Sequence, residues 1–193
     1  MKQTALLMCI CAIRAFGQTE AQSLTVWEKA KIHVERTGGP GALAETAVYA
    51  AVLHGMNTPR EWGQSAEAYG WRMASATGAT GIRNVFAFAL DSTLHEDPRY
   101  DTTGEGSVGR RFGHAFARIF VTRTDRGEQR IATWRIASAF GAAWLSNAWY
   151  PDRLNTFSSG VWQGGATLGL DLLGNVASEF WPSVKRKFGR KHP

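Results

Sequence analysis

Residues 66–94 decide the fold and read AEAYGWRMASATGATGIRNVFAFALDSTL. Small residues recur there at every fourth position, at Ala66, Gly70, Ala74 and Gly78. Residues four apart lie on one face of a helix, and small side chains on that face let a second helix approach closely. Each glycine costs about 1 kcal/mol of helix stability relative to alanine, and close packing is the usual compensation. The stretch therefore predicts a helix packed tightly against its neighbours.

The same four-residue spacing recurs along the rest of the chain. It links Gly109, Gly113 and Ala117; Ala137 and Gly141; Gly160 and Gly164; and Gly165 and Gly169. These rows predict an all-α fold, a compact helical bundle packed through glycine and alanine. A membrane-spanning bundle is the competing interpretation, but no run reaches the roughly 18 apolar residues that it needs. The best runs are interrupted at Asp91, Arg118, Arg135 and Asp171, which favours a soluble or peripheral bundle.

Capping and turn residues predict where the helices begin and end. Residues 25–28 (TVWE) form a capping box that opens a helix to about Thr37. Thr58 as N-cap, with Pro59 at the first helical position, predicts a long helix ending near Leu94, and a break at 78–81 is left open. The other predicted helices cover residues 42–56, 109–120, 134–149 and 157–178, the last ended by the EFWP stretch at 179–182.

Two segments between the helices have a different pattern. Residues 95–107 are polar and predict a loop. Residues 116–135 alternate in a way that also fits a β-hairpin around the turn at 124–127, so helix and hairpin both stay open there.

The first seventeen residues have the pattern of a cleavable signal peptide. Lys2 gives a positive start, residues 4–13 are apolar, and residues 15–17 (AFG) form a cleavage site before Gln18. The sequence thus predicts a signal peptide at 1–17, a helical domain at 18–184 and a basic tail at 185–193. Export to the periplasm or cell envelope follows. Cys9 and Cys11 lie in the removed segment, which excludes thiol chemistry from the expected mature chain.

The positive charge is concentrated at the C-terminal end. Removing Lys2 and Arg14 leaves 20 basic and 16 acidic residues. Five of the basic residues form the tail: Lys185, Arg186, Lys187, Arg190 and Lys191. The rest of the domain is close to neutral, so nucleic acid is not an expected partner. The tail predicts attraction to an anionic membrane surface, at about 1 kcal/mol per basic residue, with a solvated end as the alternative.

One polar loop could carry chemistry. Residues 95–101 (HEDPRYD) place His95, Asp97, Arg99 and Tyr100 close together, as general acid–base catalysis requires. Turn formation and a surface ion pair are the simpler explanation. Neither the five histidines nor the rest of the sequence shows a metal-binding, phosphate-loop or dinucleotide motif, so no metal or cofactor is predicted.

Polar residues also interrupt the apolar helices. These are Asp91, Asn147, Asp171 and Asn175. A buried carboxylate needs a partner, and Arg118, Arg135 and His114 are available. We expect an internal network that fixes helix register, with a polar pocket as the open alternative.

Four short segments resemble an uncharacterised family of exported bacterial helical proteins. They are DPRY at 97–100, VTRTD at 121–125 followed by Gly127, SNAWYP at 146–151 and EFWP at 179–182. The resemblance covers about residues 85–185 and implies export and helices. It implies no activity, cofactor or catalytic residue.

These observations lead to two functional hypotheses. The first is an exported, non-enzymatic, envelope-associated protein whose tail contacts an anionic membrane surface or another envelope protein. The second is a hydrolase, or a lipid- or sugar-binding protein, with a polar site where residues 95–101 meet the turn at 147–152. The second hypothesis expects Asp97, Arg99 and Tyr150 to converge on a pocket, and neither hypothesis identifies a small-molecule ligand.

Overall fold

The chain is described by a computed structural model over residues 23–104 and 106–189, with side chains through Arg186. The predicted signal peptide and the tail residues Arg190 and Lys191 lie outside this part, as does the side chain of Lys187. The helices are α1 (Val26–Gly38), α2 (Pro40–Gly55), α3 (Ala66–Thr93), α4 (Val108–Phe120), α5 (Thr133–Ser146) and α6 (Phe157–Gly189). The strands are β1 (Val121–Arg123) and β2 (Gln129–Ile131). The predicted all-α bundle is confirmed.

The capping box at the start of α1 is present. The backbone N–H of Glu28 donates to Thr25 Oγ1 at 3.2 Å, and the backbone N–H of Thr25 donates to Glu28 Oε2 at 2.8 Å. The helix ends at Gly38, and extended backbone at Gly39 leads into α2, which begins with Pro40.

The predicted helix start at Thr58 is wrong. Only one 3-10 turn forms there, over Arg60–Trp62, and Gly63 follows it at a φ of +78°. A helix cannot continue through that left-handed conformation, so α3 begins after Ser65, whose Oγ accepts from the Ala68 N–H at 3.1 Å. From there α3 runs without the break left open at 78–81.

Both patterns predicted for residues 116–135 occur, one after the other. Helix α4 ends at Phe120, and β1 then pairs antiparallel with β2, placing Val121 opposite Ile131. The connecting turn has Gly127 at a φ of +83°. The alternating residues therefore form a short hairpin directly after the helix.

Helix α5 runs antiparallel to α3. Near the start of α3, Ser75 Oγ accepts from the Trp149 indole at 2.8 Å. Just beyond its end, the Glu96 carboxylate accepts from the Trp134 N–H at 3.1 Å. At about 1.5 Å per residue, the 28 residues of α3 give a helix about 42 Å long, and these two contacts are about 30 Å apart along it.

The predicted end of the last helix at residue 178 is also wrong. Helix α6 continues through Pro182 to Gly189. A proline leaves the carbonyl four residues earlier without its helical donor. That carbonyl belongs to Ser178, which is exposed like Pro182 itself, so the lost hydrogen bond lies on the outside of the bundle and not in its interior.

Close packing against glycine, predicted for all the small-residue rows, occurs at only some of them. A Cβ on Gly160 would overlap the Trp144 ring, and one on Gly164 would overlap the Phe140 ring. The α5–α6 contact therefore depends on aromatic rings that lie directly against glycine backbone. Other glycines of the predicted rows have no atom within 4 Å of a Cβ position: Gly70, Gly109, Gly113, Gly165 and Gly169.

Candidate functional site

The interior of the bundle is polar. Of the buried apolar side chains in the described part of the chain, all except Ile119, Trp134, Pro59 and Pro98 are alanine. The largest side chains with almost no exposure include Arg72, Lys29 and Glu179. Charged groups are rarely buried unless they are paired, so their partners determine what the interior can do.

Helix α1 contributes two buried basic residues. Lys29 donates its ammonium to the backbone oxygens of Asp91 and Glu96 at 3.0 and 2.9 Å, and to the Asp125 carboxylate at 2.9 Å. One turn later, His33 Nε2 lies 2.6 Å from Asp91 Oδ2. Asp91, predicted to need an internal partner, therefore has one. That partner is a histidine that the sequence did not single out, although Lys29 and His33 share a helix face.

A second buried cluster surrounds Glu179 on α6. Its carboxylate accepts from Tyr100 Oη at 2.8 Å, from the Thr103 N–H at 3.0 Å, and lies 2.8 Å from His114 Nδ1. Burial alone would raise the pKa of Glu179, but hydrogen bonds from Thr103, Tyr100 and His114 lower it overall. Burial and the carboxylate together raise the pKa of Tyr100 well above its ordinary value.

Two arginines share the carboxylate of Asp171. Arg83 donates to both of its oxygens, and Arg135 Nη1 lies 3.8 Å from Oδ2. Burial lowers the pKa of Arg135 to about 10 and also lowers the pKa of Arg36 nearby. Both groups keep their charge at neutral pH. Asp171 therefore has the predicted partner Arg135 and a stronger one, Arg83.

The predicted polar loop forms one side of a small cavity of about 160 Å³. Its lining residues are Asp97, Arg99, Tyr100, Asp101, Arg118 and Arg123. Asp97 forms a two-pronged ion pair with Arg99, at 3.1 and 2.7 Å, and Asp101 bridges Arg118 and Arg123. The structure thus brings together Asp97, Arg99 and Tyr100, as the sequence predicted.

The other predicted site residues lie elsewhere. His95 is largely exposed, 3.6 Å from the Asp125 carboxylate. Asn175 donates to the Ala115 carbonyl at 3.1 Å. Asn147 accepts from Gln163, and Tyr150 lies against the Trp62 ring at 5.3 Å. The last two contacts are at the start of α3, at the far end of the bundle from the cavity, so Tyr150 does not converge with Asp97 and Arg99.

Many large apolar side chains lie on the outside of the bundle. On α4, Phe112 and Phe116 are each 50% exposed, whereas Arg111 and Arg118 on the same helix are buried. The amphipathic pattern of this helix is therefore oriented with its aromatic stripe outward. Large exposed side chains also occur on the other long helices: Val48 and Val52 on α2, Val85 and Phe86 on α3, Trp144 and Leu145 on α5, and Trp162, Leu170 and Leu173 on α6.

No family model, curated protein or solved structure matches the chain. Across the described residues, no helix is both long enough and apolar enough to cross a membrane. The same part of the chain contains no group of histidine and acidic side chains suited to hold a metal ion. The arrangement of charged and apolar side chains is therefore the main guide to function.

Proposed function

We propose that this protein is an exported, non-enzymatic component of the cell envelope that associates with lipid through the outer faces of its helices. The observation that carries the proposal is that charged side chains lie inside the bundle while large apolar side chains lie on its surface. Charged side chains such as Arg72 and Asp91 are buried, whereas Trp162 is 78% exposed and Leu173 is 64% exposed.

The energetics of burial favour an apolar surrounding. Apolar surface gains about 25 cal/mol per Å² when it leaves water, and Phe112 and Phe116 of α4, each 50% exposed, gain only part of this while they face water. In an apolar environment, polar side chains face the inside of a bundle and large apolar ones face outward. The described structure has this arrangement.

Lipid is a better occupant of these faces than one protein partner. The exposed apolar side chains lie on α2, α3, α4, α5 and α6, so a single interface would cover only part of them. Between Phe157 and Val184 of α6 no charged side chain is exposed, a length of about 40 Å. Lys185 and Arg186 follow at once and are exposed, in a position to meet anionic headgroups.

The buried polar groups make hydrogen bonds and ion pairs to one another, which supports a non-enzymatic role. Both ring nitrogens of His33 are engaged, with Asn84 and Asp91. A general base needs a nitrogen within hydrogen-bond distance of its substrate. Asp91 and Asp171 are likewise held by basic partners between helices, where they fix helix position.

Flotation of the purified chain from Gln18 onward with phosphatidylcholine vesicles tests the proposal. We expect the protein to float with the vesicles, and Phe116→Gln to lower its partition coefficient about tenfold, because a buried phenylalanine contributes about 1.5–3 kcal/mol. Ile131→Gln is the control, since Ile131 is exposed on the hairpin rather than on a helix. Lipid association would be refuted if the protein formed a discrete oligomer that does not float with the vesicles. It would also be refuted if the two substitutions lowered the partition coefficient equally.

The tail has its own test with vesicles that contain anionic phosphatidylglycerol. Deleting residues 185–193 should remove the extra binding that these vesicles give over phosphatidylcholine, and high salt should do the same. If neither treatment changes the binding, the tail does not contribute.

A further inference from the structure

We propose that the cavity lined by Arg99, Arg118 and Arg123 binds a phosphate group, either free or on a lipid headgroup, in competition with the side chain of Asp101. This site is independent of the lipid contact proposed for the outer helix faces. Either proposal can fail without the other.

The cavity has the size and chemistry of an anion site. Its volume of about 160 Å³ accommodates about five water-sized groups at about 30 Å³ each, and a phosphate has five heavy atoms. Three guanidinium groups line it. The planar fork of a guanidinium matches phosphate oxygens in pairs, and arginine is more weakly hydrated than lysine.

The charges on the lining do not balance. Arg99, Arg118 and Arg123 oppose two carboxylates, Asp97 and Asp101. Both carboxylate oxygens of Asp97 already accept hydrogen bonds from Arg99. Among the lining residues, Asp101 is then the only carboxylate left to balance the charges of Arg118 and Arg123. A group with two negative charges would neutralise Arg118 and Arg123, whereas one carboxylate leaves an excess positive charge.

Asp101 is an incomplete partner for the two arginines. Its Oδ1 lies 2.5 Å from Arg118 Nη2, and its Oδ2 lies 2.9 Å from Arg123 Nη2. Even so, the buried Oδ1 receives no hydrogen bond of good geometry from the described residues. The Asp101 side chain is 36% exposed, against 7% for Arg118, so rotation toward solvent would release both guanidiniums.

The arginines, by contrast, are fixed by the fold. Arg118 lies on α4, and Arg123 is the last residue of β1. The Arg123 carbonyl accepts from the Asp97 N–H at 2.7 Å, and Thr122 Oγ1 donates to the Asp97 carbonyl at 2.8 Å. These bonds hold the strand against the loop. The guanidinium groups therefore extend from a preorganised backbone, while the competing carboxylate lies outside any helix or strand.

Asp101→Asn tests the competition directly. Removing this negative charge should tighten the binding of inorganic phosphate at least about tenfold, measured by calorimetry. It should also make the melting temperature of the variant rise more with phosphate than that of the wild type. Glu61→Gln removes the same charge from an exposed pair with Arg153 and should behave like the wild type. If Asp101→Asn and Glu61→Gln respond equally to phosphate, the proposal is overturned.

A second variant keeps the test decisive if Asp101→Asn does not fold. Phosphate should raise the melting temperature of the wild type above its value in chloride at the same ionic strength. Arg123→Gln, made in the chain with Asp101 intact, should abolish this rise. A wild type and an Arg123→Gln variant that gain equally from phosphate would refute the site.

Vesicles then identify the source of the group. If Asp101→Asn prefers phosphatidic acid over phosphatidylglycerol, and free phosphate competes, the ligand is a lipid phosphate. If the variant binds free phosphate with no preference among vesicles, the ligand is a soluble phosphate.

Discussion

The imidazole of His33 lies between Asp91 and Asn84, with its Nε2 2.6 Å from Asp91 Oδ2. The Nδ1 atom lies 3.0 Å from Asn84 Oδ1, and the Asn84 amide donates to the Thr80 carbonyl. The Oδ1 atom of Asn84 is therefore an acceptor, so Nδ1 carries a proton. The contact ties α1 to the middle and end of α3.

The first prediction concerns this pair. Asp91→Leu should lower the free energy of unfolding by about 3 kcal/mol, because it leaves the buried His33 Nε2 without its hydrogen-bond partner. His33→Leu combined with Asp91→Leu should cost less than the sum of the single variants, with a coupling energy of at least about 1 kcal/mol. Chemical denaturation measures both quantities. Simple additivity would show that the two side chains do not interact.

The second prediction concerns pH. The pKa of Glu179 is lower in the folded protein than its ordinary value of 4.5. Its stabilising contribution is therefore complete above pH 4.5 and is lost as the pH falls through the lowered pKa. Glu179→Gln should be less stable at pH 7, and the difference from wild type should shrink below about pH 4.5. Glu128→Gln, at an exposed carboxylate, is the control, and a constant difference at all pH values would contradict the prediction.

The third prediction compares adjacent glycines of α6. Gly164→Ala should destabilise the protein by about 1–3 kcal/mol, because its Cβ would overlap the Phe140 ring. Gly165→Ala meets open space and should stabilise the helix by up to about 1 kcal/mol. Thermal unfolding of the two variants gives opposite shifts if the ring lies against the Gly164 backbone, and equal shifts if it does not.

The fourth prediction concerns the loop before α3. The fully buried Arg72 donates to the carbonyls of Thr58 and Pro59 at 2.8 and 2.9 Å. Arg72→Met should cost about 3 kcal/mol and speed hydrogen exchange at the Trp62 and Gly63 amides, which bond within the same loop.

The control for this prediction is Arg153→Met. Arg153 forms an exposed ion pair with Glu61, so the exchange of the two amides should change little. If Arg72→Met leaves their exchange unchanged, the arginine does not hold the loop.

Local signals predicted much of the fold because they act within a few residues. The capping box at 25–28 and the polar loop at 95–107 depend on adjacent side chains and occur as predicted. The helix start predicted at 58–61 was wrong because the left-handed Gly63 and the cap at Ser65 start the helix later. Pro182 does not end α6 because the carbonyl that loses its donor lies on the outside of the bundle.

The candidate site was predicted only in part, for a different reason. Asp97, Arg99 and Tyr100 are close in sequence and are close in space. The partners Arg118 and Arg123 come from α4 and β1, and Glu179 comes from the last helix. Helical periodicity shows that α4 has an aromatic and a basic face, but it does not show which face is buried. That choice depends on whether charges find partners across the bundle.

The position of Glu179 and Asp171 on the last helix affects the order in which the protein can fold. During synthesis, Arg83, Arg111, His114 and Arg135 are made before either carboxylate exists. The buried polar clusters of the bundle are therefore complete only when the last helix has packed against α3, α4 and α5.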